Sequence, residues 1–286
     1  MKYTILLAAT LLLTSLAPRS IFAQEIYVSV RPDHALQGEP VMVQLQGVKT
    51  VTEIQKGTFE GTSVRFFLYN TIPTAFVGVP LEKKPGEYIV RVTLKNKKIL
   101  QTVITVTARE DAPQPLGIPA KLGGDTATSA QKMLATLTKD HQSINNLKTL
   151  DHALWQTAFQ FPLQNATVTD TYGYVRQTSG YSIAHKGTDF RAPIGTPVFA
   201  MNRGVVRKAQ TYGTYGKTVI IDHGLGLFTM YMHLSKIKVS PGMLVEKGET
   251  IALSGETGYA LGPHLHTTVR VGNISIDPMK FIELFK

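Results

Sequence analysis

The stretch Gly262-Pro263-His264-Leu265-His266-Thr267-Thr268-Val269-Arg270-Val271 decides how the second half of this chain is read. Side chains two apart in a strand project from one face. A strand from His264 to Val271 therefore turns both imidazoles into a common groove and sends Leu265 into the core. Gly262-Pro263 fixes where that strand begins. A His-x-His pair alone is weak, so its meaning depends on what else the chain supplies. Upstream, His185 and Asp189 bracket Lys186-Gly187-Thr188, and His233 stands in Tyr231-Met232-His233-Leu234. Two imidazoles and a carboxylate are a set that a divalent zinc ion takes, and three protein ligands leave one position open for water. The third imidazole and His233 are then free to act as bases. The residues point to a zinc hydrolase.

Outward from these motifs, glycine is frequent from Trp155 onward. Short β segments are expected at Val198 to Val206, Thr218 to Asp222, Phe228 to His233, Thr250 to Leu253 and His264 to Val271, with glycines between them. The pattern is that of an antiparallel β domain with long loops. Residues 24–108 also read as strands. Ile26, Val28 and Val30 alternate, as do Val41, Val43 and Leu45, then Tyr88, Val90, Val92 and Leu94, then Ile104 and Val106. The spacing predicts a β-sandwich of immunoglobulin type without the usual cysteine pair and core tryptophan. Between the two lies a segment, 109–154, that opens with Pro113, Pro115, Gly117, Pro119, Gly123 and Gly124. It turns helical from Thr126 to about Leu150, with Met133, Leu134, Leu137, Ile144 and Leu147 near one stripe. The fold class is thus mainly β: an N-terminal immunoglobulin-like sandwich, a helical linker, and a C-terminal antiparallel sheet with a groove over 155–286.

Composition sets the compartment. The chain has 286 residues, 43% hydrophobic and 17% charged, which suits a globular protein of two domains. Lys2, the apolar run Ile5 to Leu13 and Ser20-Ile21-Phe22-Ala23 read as a signal peptide, residues 1–23. That run is too short for a comfortable membrane span. The expected location is outside the cytoplasm, periplasmic or extracellular. There is no cysteine, so no disulfide forms and any metal must use His, Asp or Glu. The net charge of +10 falls by two when Lys2 and Arg19 leave with the signal. A basic exported protein is drawn to anionic surfaces. No basic helix or base-stacking motif is present, which argues against nucleic acid.

The spaced motifs resemble a family. His185 to Ala200, Tyr231-Met-His233-Leu-Ser235, and Gly255-Glu-Thr-Gly258 leading to Gly262-Pro-His264-Leu-His266 look, in that order, like the three motifs of the lysostaphin/LytM-type zinc endopeptidases. The resemblance covers roughly Trp155 to Phe281. It implies a β-rich domain that cuts peptide cross-links in bacterial peptidoglycan. It also implies one zinc on His185, Asp189 and His266, with His233 and His264 as the catalytic pair. One departure is visible: the family often has an aromatic and an acid where this chain has Thr267-Thr268, which affects a contact behind the ligands or a groove wall. Some members have lost ligands and only activate other hydrolases, but all five residues are present here. A non-catalytic wall-binding regulator and a peptidase acting on protein substrates are the competing readings. With no His-Glu-x-x-His motif, a neutral imidazole must replace the usual glutamate base. His223 is expected to be structural or to support the site from behind, His34, His141 and His152 to be surface residues, and Tyr181 either to pack or to bind the oxyanion. The N-terminal sandwich binds a partner, positions the enzyme or covers its groove.

Overall fold

The computed structural model describes residues 25–110, 114–115, 117–145, 147–178 and 181–286. The expected signal segment, 1–23, lies outside the described residues.

The N-terminal region folds as two sheets. Tyr27–Arg31, Pro40–Gln46, Ile72–Gly78 and Phe67–Tyr69 form one, in that spatial order; His34–Leu36, Ile99–Thr107, Gly86–Leu94, Ile54–Phe59 and Thr62–Val64 form the other. The alternating apolar residues meet between them. Val41, Val43 and Leu45 from the first sheet share a core with Val90, Val92, Ile104 and Val106 from the second. Period-two alternation produces this because one face of each strand is removed from water.

Pro40–Gln46 departs from that rule. Its intervening residue Met42 is also buried, and it belongs to the core of the C-terminal region together with Phe76. This strand is covered on both faces. Trp155 is the keystone of the junction: its ring lies 5.0 Å from Phe67, 5.9 Å from Phe76 and 5.6 Å from Phe285. The N-terminal sheet therefore rests on an aromatic cluster that the C-terminal region completes.

The helix α1 spans Ala127–Ile144. Thr126 caps it, its Oγ1 accepting the Ser129 N–H at 3.2 Å. It stops short of the predicted Leu150 for a local reason. Asn145 is extended, and the Ile144 carbonyl and the Asn145 side chain both accept from Arg270. Beyond, the buried Asp222 carboxylate takes the Thr149 hydroxyl at 2.8 Å and the Leu150 N–H at 3.1 Å, which holds that stretch out of the helix.

The C-terminal region is built on an antiparallel sheet in the order Val168–Asp170, Thr188–Arg191, His264–Val271, Leu227–Leu234, Gly216–Gly224, Gly204–Tyr212 and Leu244–Val245. The predicted strand Val198 to Val206 proves to be two. Pro197–Phe199 pairs with Thr250–Leu253 in a separate small sheet, and Gly204–Tyr212 joins the main one. The chain changes sheets at Asn202, whose side chain donates to the Thr157 carbonyl at 2.9 Å. A hairpin of Val175–Thr178 and Tyr181–Ala184 rises beside the main sheet, and Gln114–Pro115 runs parallel to its first strand. A short closing helix, α2 (Pro278–Glu283), was not expected. Asp277 caps it through the Met279 and Lys280 N–H groups, with Pro278 at its first position.

Candidate active site

Two adjacent strands create the site. In the pairing of Thr188–Arg191 with His264–Val271, Asp189 stands opposite His266 and Arg191 opposite His264. Opposed residues on one face of a sheet have Cβ atoms about 5 Å apart, so register alone brings Asp189 and His266 together. Leu265 pairs with Phe190 on the other face, and both are fully buried, as the alternation predicted. His185 arrives from the turn before Thr188. Gly187 permits that approach: a Cβ there would collide with the His266 ring and the Thr267 carbonyl.

His185 Nε2, Asp189 Oδ1 and His266 Nδ1 form a compact triangle. The sides are 3.2 Å from His185 to Asp189, 3.1 Å from His185 to His266 and 2.7 Å from His266 to Asp189. Among the described residues this is the one cluster of three His, Cys, Asp or Glu donors suited to an ion. Ligands about 2.0–2.2 Å from a tetrahedral ion stand ~3.3–3.6 Å apart, so the three atoms, slightly closer than that, are grouped as a single divalent cation would need. Their protons are set from behind. His185 Nδ1 lies 2.7 Å from the Thr171 carbonyl and donates to it, leaving Nε2 bare. His266 is reversed. Its Nε2 faces the Thr268 hydroxyl at 3.1 Å, and that hydroxyl donates to the Lys186 carbonyl. The imidazole must then be the donor, which frees Nδ1. Thr268 thus supplies the contact that the departure at Thr267-Thr268 had placed in question.

Burial pushes the His266 pKa down to about 4, against the upward pull of Asp189. Burial also works against ionising Asp189, but His266 and His185 outweigh it and hold the carboxyl well below the usual range. At neutral pH the cluster holds a neutral His266 imidazole beside a carboxylate, the forms that bind a cation.

His233 and His264 flank the triangle. Their rings are 4.8 Å apart, and His264 Nε2 lies 3.9 Å from Asp189 Oδ1. Each donates Nδ1–H to a backbone carbonyl, His233 to Thr257 and His264 to Gly262, both at 2.8 Å. Each therefore turns a bare Nε2 toward the cluster. His233, next to last in its strand, has a φ of 58°, a left-handed conformation that a non-glycine residue adopts at a cost of order 1–3 kcal/mol. Its N–H donates to the Tyr215 carbonyl at 2.9 Å, which pins the bend. Burial, reinforced by His264 and His266, pushes the His233 pKa down to about 3.

His185, His233 and His266 line a cavity of about 750 Å³, whose wall also includes Met133, Leu137, His141 and Ile144 of α1. Ile118, Ala130 and Met133 pack against Ile183 of the hairpin and Tyr259 of the loop before His264. Asp140 of α1 accepts the N–H groups of Gly213 and Thr214 at 3.3 and 2.6 Å. The helix stands over the groove, held to both walls.

The remaining histidines are placed elsewhere. His223 is fully buried, with Nδ1 on the Arg203 carbonyl and Nε2 on the Thr229 hydroxyl, both at 2.8 Å; its role is structural, as expected. His34 and His152 are exposed beside Asp33 and Asp151. His141 is half-buried in the cavity wall rather than on the surface. The side chain of Tyr181 lies outside the described residues. Sequence reading passed over Arg176 and Tyr174, which reach the site only through the fold.

Residues 183–278 match the model for Peptidase family M23. This stretch is an M23 peptidase domain. The span holds all five of His185, Asp189, His233, His264 and His266. The chain is 38% identical over 125 residues to the peptidoglycan DD-endopeptidase ShyB of Vibrio cholerae and 46% identical over 96 residues to ShyA of the same organism. These matches cover 42% and 34% of this chain but only 29% and 22% of those relatives. A crystal structure of a putative peptidase M23 from Pseudomonas aeruginosa aligns over 86% of this chain and 94% of its own, with 26% identity and a TM-score of 0.57. The likeness to that structure therefore extends well beyond the M23 span.

Proposed function

We propose that this chain is a zinc-dependent endopeptidase that hydrolyses peptide cross-links of bacterial peptidoglycan outside the cytoplasm. The observation that carries the reading is the donor triangle of His185, Asp189 and His266 with two further imidazoles turned toward it. The activity by which the ShyA and ShyB relatives are named supports the substrate, and the strongly basic charge suits an anionic wall polymer.

A zinc ion held by His185, Asp189 and His266 would supply Lewis acidity, polarising a carbonyl and acidifying water. The chain's own residues handle protons and position. His233 and His264 each have Nδ1–H fixed on a carbonyl and Nε2 open. Either nitrogen can accept a proton from the attacking water, and the imidazolium so formed returns it to the leaving amine. The Thr257 and Gly262 carbonyls keep the rings in the required tautomer throughout. The cavity orients the peptide and limits water around the reacting bond.

Residues 117–144 are assigned the role of a cover over the groove, supported by the contacts of Ile118 and Met133 with both walls. The N-terminal region is assigned attachment to a partner.

Digestion of isolated peptidoglycan with mass analysis of the products tests the main reading, run with and without a chelator and beside a soluble Gly-rich peptide. Chelator-sensitive release of peptides cut at cross-links is expected. Cleavage of the soluble peptide alone would replace the substrate. An inert chain that accelerates another wall hydrolase would make it a regulator.

A further inference from the structure

Asp189 has two carboxylate oxygens, and the fold treats them differently. Oδ1 faces the triangle. Oδ2 points away from it and is met by the Arg176 Nη2 at 3.2 Å. Arg176 is itself held on three sides. Its Nε donates to the Tyr174 hydroxyl at 2.6 Å, its Nη2 lies 3.5 Å from Asp170 Oδ2, and its guanidinium carbon sits 5.3 Å from the centre of the Tyr174 ring. Tyr174 leans on a second member of the cluster. Its ring is 5.0 Å from that of His185, and its carbonyl accepts the His185 N–H at 2.9 Å. One guanidinium thus ties the strand Val168–Asp170, the hairpin and the strand Thr188–Arg191 around two of the three donors.

A buried carboxylate oxygen with no partner is costly, and it relieves that cost by turning toward the nearest cation. In Asp189 that cation would be a metal ion at Oδ1. Both oxygens would then ligate, and the position a reactant needs would close. A planar fork prevents this, because Nε and Nη2 can hold Tyr174 and Asp189 at once, whereas a lysine ammonium offers charge without the fork.

We propose that Arg176 is a positioning residue for the metal centre: by holding Oδ2 it keeps Asp189 a one-oxygen ligand and keeps a coordination position open. The inference rests on the metal assignment proposed above. It concerns a residue outside all three sequence motifs, before the start of the matched M23 span.

The test uses the full chain with Arg176→Gln, Arg176→Lys and Tyr174→Phe. Zinc affinity is measured by competition with a chromophoric chelator, the visible spectrum of the cobalt-substituted protein reports coordination number, and kcat and KM are read on peptidoglycan fragments. Arg176→Gln is expected to weaken zinc binding about 10–100-fold, the usual effect of losing a partner behind a ligand. It should also weaken the cobalt absorption, as higher coordination does, and lower kcat with KM little changed. Arg176→Lys should fall between. Tyr174→Phe, which leaves every charge in place, should move affinity the same way by a smaller factor and keeps the test open if the glutamine variant does not fold. Wild-type zinc affinity and cobalt spectrum in these variants would overturn the inference; a raised KM alone would make Arg176 a substrate contact instead. A wild-type chain that takes up no zinc would remove the metal assignment itself, and this inference with it.

Discussion

At the residue scale, five side chains that share one groove divide by which nitrogen or oxygen they expose. His185, Asp189 and His266 point lone pairs at a common centre, and His233 and His264 stand beside it with theirs. Substitutions should separate the groups. His266→Ala is expected to remove most of the bound zinc while the β core, which is apolar, stays folded. His233→Ala and His264→Ala should keep the metal and lose about 10²–10⁴-fold in activity, the size of an acid–base contribution. Elemental analysis beside activity decides it: a His233 or His264 variant that arrives without zinc would move that residue into the ligand set. His223 makes a different prediction. Burial lowers its pKa from 6.5 to about 4 in the folded state. The unfolded chain binds a proton there first, so this group's contribution is complete above pH 6.5 and is lost as pH falls from 6.5 toward 4. Over that window the loss is roughly 3 kcal/mol. His223→Asn should be less stable at neutral pH, yet should lose less on acidification than the parent. Chemical denaturation at pH 7.5 and 5 measures both slopes, and equal slopes would reject the assignment.

At the element scale, α1 is the piece whose position matters most. It is fixed by Asp140 on the Gly213–Thr214 turn, by Arg270 at its C-terminal end and by Met133 between the hairpin and the Tyr259 loop. That turn also supports His233, whose N–H donates to the adjacent Tyr215 carbonyl. Met133→Asp tests the cover without touching the turn. A buried carboxylate in an apolar contact is unfavourable by a few kcal/mol, enough to shift a closed segment toward open. Hydrolysis of wall fragments is expected to rise about tenfold, with zinc content unchanged. A rate that falls would show that the helix braces the groove rather than blocking it. The extent of this helix was partly legible. Thr126 and the stripe from Met133 to Ile144 announce its start and middle. Its end was not, because Arg270 and Asp222, remote in sequence, compete for the carbonyls and N–H groups that would have continued it.

At the scale of the whole molecule, the Pro- and Gly-rich segment 113–124 reads as a joint between two independently cored units, which predicts that a fragment starting near Ala153 folds alone. The structure places Phe67, Tyr69 and Phe76 of the N-terminal region against Trp155, Phe281 and Phe285. Removing the first 152 residues would bare that aromatic face and strip Asp222 of Thr149 and Leu150. Such a fragment is expected to retain the zinc ligands but to melt well below the full chain. Trp155→Ala in the full chain should cost about 3–5 kcal/mol, read as a lowered midpoint in denaturant. A loss under 1 kcal/mol would show that the two regions merely touch.

The sequence by itself determined the chemistry and the local grammar. His-x-His in a strand, His and Asp around a glycine turn, and alternating valines act through spacings of two to four residues, and those spacings fix which side chains share a face. Tertiary structure decided everything that depends on approach between distant segments. Arg176 finds Asp189, Thr268 fixes the His266 tautomer through the Lys186 carbonyl, Met42 is buried on a face that alternation leaves to solvent, and α1 lies across the groove. A single strand's pattern records that a face is covered but not by what, and a hydrogen bond between remote residues leaves no periodic mark in the chain.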